Sequence, residues 1–445
     1  MMIQALQSLP GGTLPAIRAA RAADGPAISA LYREAYTPPG HGDARRHYPF
    51  PQFLDPEWVA HAVTRDNICW LVAEFEDEVI GTVGAIRNIG SEHDRVAEGF
   101  GLVVSERLRG RGIGNNLLDF LCNKLDEDVL FMIAETRTAD PGGWKIVRRC
   151  GFIPLGFEPF AHATPAGAES MLLTGKVSEN DSARRDLSGQ TTSSVHMLAR
   201  HVLNPLQLEA LSVPAKINNL DHQAPWELLR HHLIPAHPAV DVSAFEAAAK
   251  EHTLELVRDG MAGARLLAEW GAVDPHGSGV VGLRRLEGED NEGDRYDGQY
   301  LVGRLGRYPV ACARLVWDRL DSRVRVLALQ TLFHGLQGLM LARILEGVER
   351  ESAYNPLTVI VDVRADSPEL QATIERLGFF PTAYYPSLIA TRSGRIDAVQ
   401  YTRLYHLHFE DSLRVMSDLD WSSARQIISE VVTMSKTGTR LVGTG

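Results

Sequence analysis

Cysteine is scarce in this 445-residue chain, and long apolar runs and an excess of positive charge are missing from it. Its 4 cysteines form no CxxC pair, which argues against a disulfide scaffold or a cysteine-rich zinc site. No apolar run approaches the ~20 residues that span a bilayer, and no secretion signal is recognised at the N-terminus. The formal net charge of -11 disfavours binding to nucleic acid or anionic membranes. We therefore expect a cytoplasmic protein with no membrane or nucleic-acid partner.

The residues that are present indicate a globular protein of at least two domains. Hydrophobic residues make up 44% and charged residues 23% of the 445 positions, an ordinary mixture for a folded chain of this length. Over residues 14–178 the patterns follow the order strand, two helices, three strands, helix, strand, helix and two strands. This order predicts an α/β (α+β) fold, in which a mixed β-sheet carries helices on its faces.

The next segment, residues 179–280, is assigned to a linker and a helical insert. The polar stretch at 188–194 predicts an exposed linker. Apolar periodicity then predicts helices at 195–203 and 243–270. The last residues, 409–445, are assigned to a C-terminal helix and a flexible tail.

Residues 281–408 repeat the order of strands and helices found over residues 14–178. In each segment a Gly-Phe pair, at 151–152 and at 378–379, follows a predicted helix and precedes two predicted strands. The sequence therefore predicts two mixed β-sheet domains in tandem.

The turn between a predicted strand and a predicted helix contains three glycines at alternate positions and two arginines. These residues are Arg109, Gly110, Arg111, Gly112 and Gly114. Glycine lets the backbone approach a ligand closely, and the first N–H groups of a helix attract an anion. The turn is therefore suited to hold a pyrophosphate.

Two common phosphate-binding motifs do not fit this turn. A Walker A loop needs Gly-Lys-Ser or Gly-Lys-Thr, whereas Gly114 is followed by Asn115 and Asn116. A dinucleotide fingerprint needs GxGxxG after the first strand of its domain, whereas several strands precede this turn.

The turn resembles motif A of the GNAT superfamily, the acyl-CoA-dependent N-acyltransferases, written Gln/Arg-x-x-Gly-x-Gly/Ala. The resemblance covers residues 14–178. It implies transfer of an acyl group from acetyl-CoA or another acyl-CoA to a primary amine of a small molecule or peptide, without a metal. It also implies that the backbone after the fourth strand meets the acyl carbonyl and the pantetheine arm, and that the turn holds the pyrophosphate. The implied cofactor-binding residues are Val103, Val104, Arg109, Gly110, Arg111, Gly112, Ile113, Gly114 and Asn115.

The second motif of the superfamily is less complete in this sequence. Counted back from Gly151, its Asn, Ala and Tyr positions hold Asp140, Gly143 and Val147. The tyrosine that often protonates the leaving thiolate is therefore absent, and the sequence names no general acid.

Glu98 is the candidate general base, because members of the superfamily often place a glutamate on the strand that leads into the turn. Strand alternation predicts that Glu98, Phe100, Leu102 and Val104 share one face, which would give Glu98 apolar neighbours. The competing interpretation is a solvated strand residue with no catalytic role.

Histidines are the alternative bases. His41 and His47 lie in a long loop between the first two helices, and His93 precedes the strand of Glu98. The histidines at 231–237 have no acidic or cysteine partner at metal-ligand spacing, and Cys150 is interpreted as a packed thiol.

The second domain is predicted to be a degenerate copy. Its expected phosphate turn, at 331–338, has two glycines three residues apart and no arginine, and Ile374 occupies the tyrosine position. A structural role is therefore expected for it. Two alternatives to an active N-acyltransferase stay open: a non-catalytic acyl-CoA-binding or regulatory protein, and an acyltransferase whose donor is acyl-carrier protein.

Overall fold

The computed structural model describes residues 15–36, 50–91, 93–140, 142–164, 167–178, 182, 184–217, 253–271, 279–283, 295–332, 335–351, 356–405, 408–413 and 424–442. Contacts within the chain divide it into two compact units. The first unit comprises Met1–Leu155, Pro159–Asp181 and Ser412–Trp421. The second comprises Gly156–Glu158, Ser182–Asp411 and Ser422–Gly445.

The first unit contains a mixed β-sheet with helices beside it. Its strands are β1 (Ala16–Ala19), β2 (Ile68–Phe75), β3 (Glu78–Arg87), β4 (Val96–Val104), β5 (Phe131–Arg137), β6 (Ile153–Thr164, except Gly156–Glu158, which count with the second unit) and β7 (Gly167–Val177). Its helices are α1 (Gly25–Tyr36), α2 (Pro56–Ala62), α3 (Ile113–Leu125) and α4 (Gly142–Arg149). The strand order is β1-β2-β3-β4-β5-β7-β6, and β4 and β5 are parallel, with antiparallel pairs on either side. The predicted mixed sheet with flanking helices is confirmed.

The second unit contains strands and helices of the same kinds. Its strands are β8 (Leu254–Arg258), β9 (Tyr296–Leu305), β10 (Tyr308–Asp318), β11 (Arg323–Thr331), β12 (Thr358–Arg364), β13 (Phe380–Ala390) and β14 (Arg395–Leu404). Its helices are α5 (Ser193–Leu203), α6 (Gly260–Gly271), α7 (Leu336–Arg350), α8 (Pro368–Arg376) and α9 (Arg425–Val442). The strand order is β8-β9-β10-β11-β12-β14-β13, with β11 and β12 parallel.

An aromatic core joins α1 and α2 to one face of the first sheet. Phe53 is fully buried, and its ring centroid lies 5.2 to 5.5 Å from those of Tyr32, Trp58, Trp70 and Phe100. These partners belong to α1, α2, β2 and β4, so one buried ring fixes both helices against the sheet.

The helix predicted over 243–270 is wrong for its central part. Residues 254–258 form strand β8, which pairs antiparallel with β9 in the register Leu254 to Leu305 and Arg258 to Leu301. The helix α6 begins only at Gly260, and residues 243–252 lie outside the described ranges. A short apolar run does not distinguish a strand from a helix, and pairing with β9 decides the outcome here.

The predicted exposed linker at 188–194 is exposed only in part. Ser188, Gln190 and Ser193 are exposed, whereas Thr191 and Thr192 are buried. Thr191 donates a hydrogen bond to the side-chain oxygen of Gln371 at 2.8 Å, and Thr192 caps α5. Near the C-terminus, α9 continues to Val442, and the predicted flexible tail after it lies outside the described residues. Polar composition therefore overstated exposure where hydrogen-bond partners come from distant parts of the chain.

Within the described ranges, no helix is long and apolar enough to cross a membrane.

Candidate active site

Two glycines in the left-handed region shape the turn between β4 and α3. Gly110 has a φ of +79°, and Gly112, at the N-cap of α3, has a φ of +86°. A Cβ atom placed on either glycine would meet no described atom within 4 Å. Side chains other than glycine rarely adopt such φ values, so this backbone conformation favours glycine at both positions. The backbone at both glycines therefore faces open space.

The first turn of α3 directs N–H groups into the same space. The N–H of Asn116 donates to the carbonyl oxygen of Gly112 at 3.1 Å. The N–H groups of Ile113, Gly114 and Asn115 precede that bond and have no acceptor within the helix. Such N–H groups, together with the helix dipole, are suited to bind an anion.

A pocket of about 360 Å³ opens beside this turn. Its walls are the end of α1, the end of β4, the glycine turn with α3, and the start of α4. The lining residues that the sequence singled out for a cofactor are Val103, Val104, Arg109, Gly110, Gly112, Ile113, Gly114 and Asn115. Arg111 and Glu98 are not among its lining residues.

The two arginines of the turn differ in the contacts that their side chains make. The Nε of Arg109 donates to the carbonyl oxygen of Val104 at 3.2 Å, and its guanidinium lies 3.4 Å from a carboxylate oxygen of Glu106. The Arg111 side chain makes no hydrogen bond or ion pair with any residue that the structure describes. Arg109 thus braces the end of β4, while Arg111 is available to a charged ligand.

A bulge in β4 reverses the face of the residues that follow it. Gly101 has a φ of +64°, and the register with β3 shifts between the pairs Gly84 to Phe100 and Thr82 to Val103. Phe100 packs on Phe53, whereas a methyl group of Val104 lies 3.7 Å from the Cβ position of Gly114 on α3. The prediction that Glu98 and Val104 share one face is therefore wrong, because an extra residue at the bulge interrupts the alternation.

Parallel strands β4 and β5 separate just before this bulge. Their paired residues run from Val96 with Phe131 to Gly99 with Ala134, although both strands continue beyond that point. The edge of β4 that faces β5 therefore has no described β5 partner beyond Gly99. Its backbone groups can bind an extended ligand between the strands.

Tyr32 fixes the bulge, and this contact gives a testable prediction. Its hydroxyl donates to the carbonyl oxygen of Gly101 at 2.7 Å, and a Cβ on Gly101 would lie 2.1 Å from that hydroxyl oxygen. We expect Gly101→Ala to lower the free energy of unfolding by about 3 kcal/mol, through the positive φ and the collision. The measurement is chemical denaturation of the full chain.

A double-mutant cycle separates the two causes. In a Tyr32→Phe background the colliding oxygen is gone, so the added cost of Gly101→Ala should fall to that of the positive φ, about 1–2 kcal/mol. An equal cost of Gly101→Ala in both backgrounds would contradict the collision.

Glu98 is buried in β4, 3% exposed, at the last pairs before the strands separate. Glu135 lies two residues beyond its β5 partner Ile133 and therefore shares its face of the sheet. The Nε2 of His162 on β6 lies 3.7 Å from a carboxylate oxygen of Glu135. The structure thus places a second acid and a buried histidine on the face of Glu98.

His162, which lies near the end of the strand β6 (Ile153–Thr164), was not named from the sequence. The continuing apolar residues Phe160 and Ala161 were the available signal. Of the histidines that the sequence proposed as bases, His93 is exposed, and His41 and His47 lie outside the described residues. The histidines at 231–237 also lie outside them.

Tyr36, the last residue of α1, lines the pocket, as do residues of α4. Burial raises the pKa of this partly exposed tyrosine to about 12, and the neighbouring Arg137 opposes that shift. The Arg137 guanidinium lies 5.8 Å from the centre of the Tyr36 ring and is held by Glu169, at 2.6 and 2.9 Å. Tyr36 is therefore a neutral hydroxyl at the pocket over most of the pH range.

The residues at the positions of the second motif lie in two different environments. Asp140 and Gly143 line the pocket, and Asp140 accepts a hydrogen bond from the N–H of Gly142 at 2.8 Å. Val147 is 5% exposed and belongs to the buried core. Cys150 is also buried, and burial together with the nearby Asp119 raises the pKa of its thiol, so it is a packed thiol as interpreted.

Comparison with known proteins identifies the class of this region. Residues 26–152 match the family described as the acetyltransferase (GNAT) family. The chain therefore contains a GNAT acetyltransferase domain, and the matched residues include the glycine turn and α4. No curated protein sequence matches the chain.

The solved structures that are similar to this chain align with a little over a third of it. A ribosomal-protein-alanine N-acetyltransferase from Brucella melitensis is 26% identical, with a TM-score of 0.30 over 36% of this chain and 99% of that one. A ribosomal-protein-S5-alanine acetyltransferase from Vibrio fischeri is 16% identical, with a TM-score of 0.32 over 38% and 95%. The PaiA N-acetyltransferase of Thermoplasma acidophilum, solved with coenzyme A, is 16% identical, with a TM-score of 0.30 over 37% and 99%.

Proposed function

We propose that the first unit transfers an acetyl or other acyl group from acyl-CoA to a primary amine by direct attack. The observation that carries the proposal is the shared pocket. The N-terminal end of α3 and the β4 residues 102–104, which follow the last pair of β4 with β5, line one pocket. A pyrophosphate at the start of α3 and a thioester beside the end of β4 would lie at the two ends of one pantetheine arm.

The fit of coenzyme A rests on the turn itself. The outer sides of Gly110 and Gly112 are open, and the N–H groups at the start of α3 need an acceptor. Arg111 and Arg109 supply positive charge beside them. In the proposed complex, backbone groups at Val103 and Val104 would orient the arm and polarise the acyl carbonyl.

For the acceptor, we propose a small-molecule or peptide amine. The net charge of -11 favours a cationic acceptor, since opposite charges speed encounter. Glu98 is proposed as the base that removes the proton from the attacking nitrogen, directly or through water.

We also propose that residues 281–408, with β8 and α6 before them, are a second copy of this fold without its phosphate site. Each unit orders its strands with the last two exchanged and with its fourth and fifth strands parallel. At the start of α7, however, Gly335 has a φ of -63°, and Leu336 and Gln337 are buried. A phosphate would find no open left-handed glycine there.

The second unit has a larger pocket, and its position also supports the proposal that this copy has no phosphate site. Its volume is about 750 Å³, and the α7 residues that line it run from Arg343 to Arg350, in the second half of that helix. It therefore lies away from the helix end that would bind a phosphate.

Acetyl transfer is tested with the purified full chain, acetyl-CoA and a panel of polyamines, amino acids and peptides with free N-termini. We expect free thiol to appear together with an equal amount of acetylated amine, the first measured by a thiol reagent and the second by mass spectrometry. Binding of acetyl-CoA without thiol release across the panel would contradict the enzyme and favour a binding or regulatory protein. Turnover with acyl-carrier protein alone would favour the other donor.

A further inference from the structure

The last turn of α1 is clamped along the end of β4 at two points. The Tyr32 hydroxyl donates to the carbonyl oxygen of Gly101 at 2.7 Å. A carboxylate oxygen of Glu34 accepts from the hydroxyl of Ser105 at 3.1 Å and from the N–H of Glu106 at 2.7 Å. The helix is thus anchored to both ends of the segment 102–104, the part of β4 that lines the pocket.

Tyr36 lies one helical turn after Tyr32, on the same face of α1. The two rings are stacked, with centroids 6.4 Å apart and planes inclined by 14°. Since Tyr32 contacts Gly101, this stacking places Tyr36 beside the β4 residues that follow the bulge. Tyr36 and Val103 line one pocket, together with Asp140 from the segment before α4.

The proposed reaction creates a charge in that pocket. The amine nitrogen attacks the carbonyl carbon of the thioester, a C–N bond forms, the C–S bond breaks, and sulfur leaves with the electron pair. The amine gives one proton to a base, and the thiolate later takes one proton from solvent. A hydrogen-bond donor near sulfur stabilises this step, and Val147, at the usual tyrosine position, cannot supply one.

On the basis of the proposed function, we propose that the Tyr36 hydroxyl donates a hydrogen bond to the departing sulfur of coenzyme A. Tyr36 acts here as a donor and keeps its proton. Its pKa of about 12 exceeds the ~8.5 of an ordinary thiol, so full transfer of the proton to the thiolate is unfavourable. The position comes from α1 in this chain, whereas the tyrosine of the second motif would come from α4.

The test is the pKa of the thiol of bound coenzyme A, measured by thiolate absorbance against pH for the full chain and for Tyr36→Phe. A donor to sulfur favours the thiolate, so we expect the bound thiol pKa to be higher in Tyr36→Phe by about 1 unit. We also expect kcat for acetyl transfer to fall about 10- to 100-fold, the range for losing a hydrogen bond to a charged atom, while the Kd for acetyl-CoA stays within about threefold.

Tyr32→Phe is the matched control. It removes a hydroxyl from the same helix face and with it the bond to Gly101, but it keeps the ring that stacks on Tyr36 and the hydrogen bonds of Glu34. The bound thiol pKa should therefore change much less in Tyr32→Phe than in Tyr36→Phe. Identical thiol pKa values in the wild-type chain and in Tyr36→Phe, with turnover intact, would overturn this role and leave the proposed function standing. A wild-type chain that neither binds coenzyme A nor releases thiol would instead remove the proposed function itself.

Discussion

Gly112→Ala should weaken the binding of acetyl-CoA at least about 30-fold, the effect of about 2 kcal/mol, although it adds one methyl group. Gly112 has a φ of +86°, so alanine either strains the turn or shifts it. A Cβ there would meet no described protein atom within 4 Å and would point into the space that the pyrophosphate is proposed to fill. The measurement is isothermal titration calorimetry of acetyl-CoA binding.

Gly151→Ala is a closely matched control for this change. Gly151 has a φ of +87°, and a Cβ there also meets no described atom within 4 Å. It follows α4 and does not line the pocket. Both variants should lose about 1–2 kcal/mol of unfolding free energy, but only Gly112→Ala should lose affinity. Equal losses of affinity in the two variants would mean that strain, and not contact with the ligand, is responsible.

The glycine turn was predictable from the sequence because its determinants are local. The predicted helix that follows the turn is α3 (Ile113–Leu125), in which the apolar residues Leu117, Leu121 and Leu125 recur every four positions and are buried. The positive φ angles follow from glycine itself. Nearly all of the pocket wall formed by this turn could therefore be named in advance.

The part of the pocket wall that α1 forms was not predictable, because distant contacts build it. The bulge at Gly101 depends on Tyr32, 69 residues earlier, and no local pattern reveals that bond. Strand alternation consequently assigned the wrong face to Val104. Tyr36 was missed for the same reason: it reaches the pocket only because α1 is clamped to β4.

The absence of a tyrosine at position 147 shows that a motif position in the sequence and a position on the pocket wall are not the same thing. The second motif specifies a position on α4, and Val147 at that position is buried in the core. What the chemistry requires is a hydroxyl near sulfur, and any element that lines the pocket can supply it. Whether the chain can supply a hydrogen bond to sulfur is therefore better judged from the residues that line the pocket than from the residue at one motif position.

Glu98→Gln should lower kcat about 10²- to 10⁴-fold if Glu98 removes the proton from the amine, because glutamine keeps the shape but cannot accept a proton. Glu98 lies where β4 and β5 separate, and it is 3% exposed, so a proton would reach it through the gap between the strands or through water. The Kd for acetyl-CoA should stay nearly unchanged, since Glu98 does not line the pocket of the glycine turn. The measurement is kcat against pH, and the acid limb of the wild-type profile should be lost in the variant.

Glu135→Gln makes the same change of charge on the same face of the sheet and is the control. Glu135 lies beside His162, so a pair of these two residues is the rival base that the structure offers. If Glu98 is the base, Glu135→Gln should keep the acid limb of the profile and lose less activity. If instead Glu135→Gln and His162→Asn remove that limb while Glu98→Gln keeps it, the base is the Glu135 and His162 pair. Glu98 would then be a buried strand residue, held at the point where the two parallel strands begin to open.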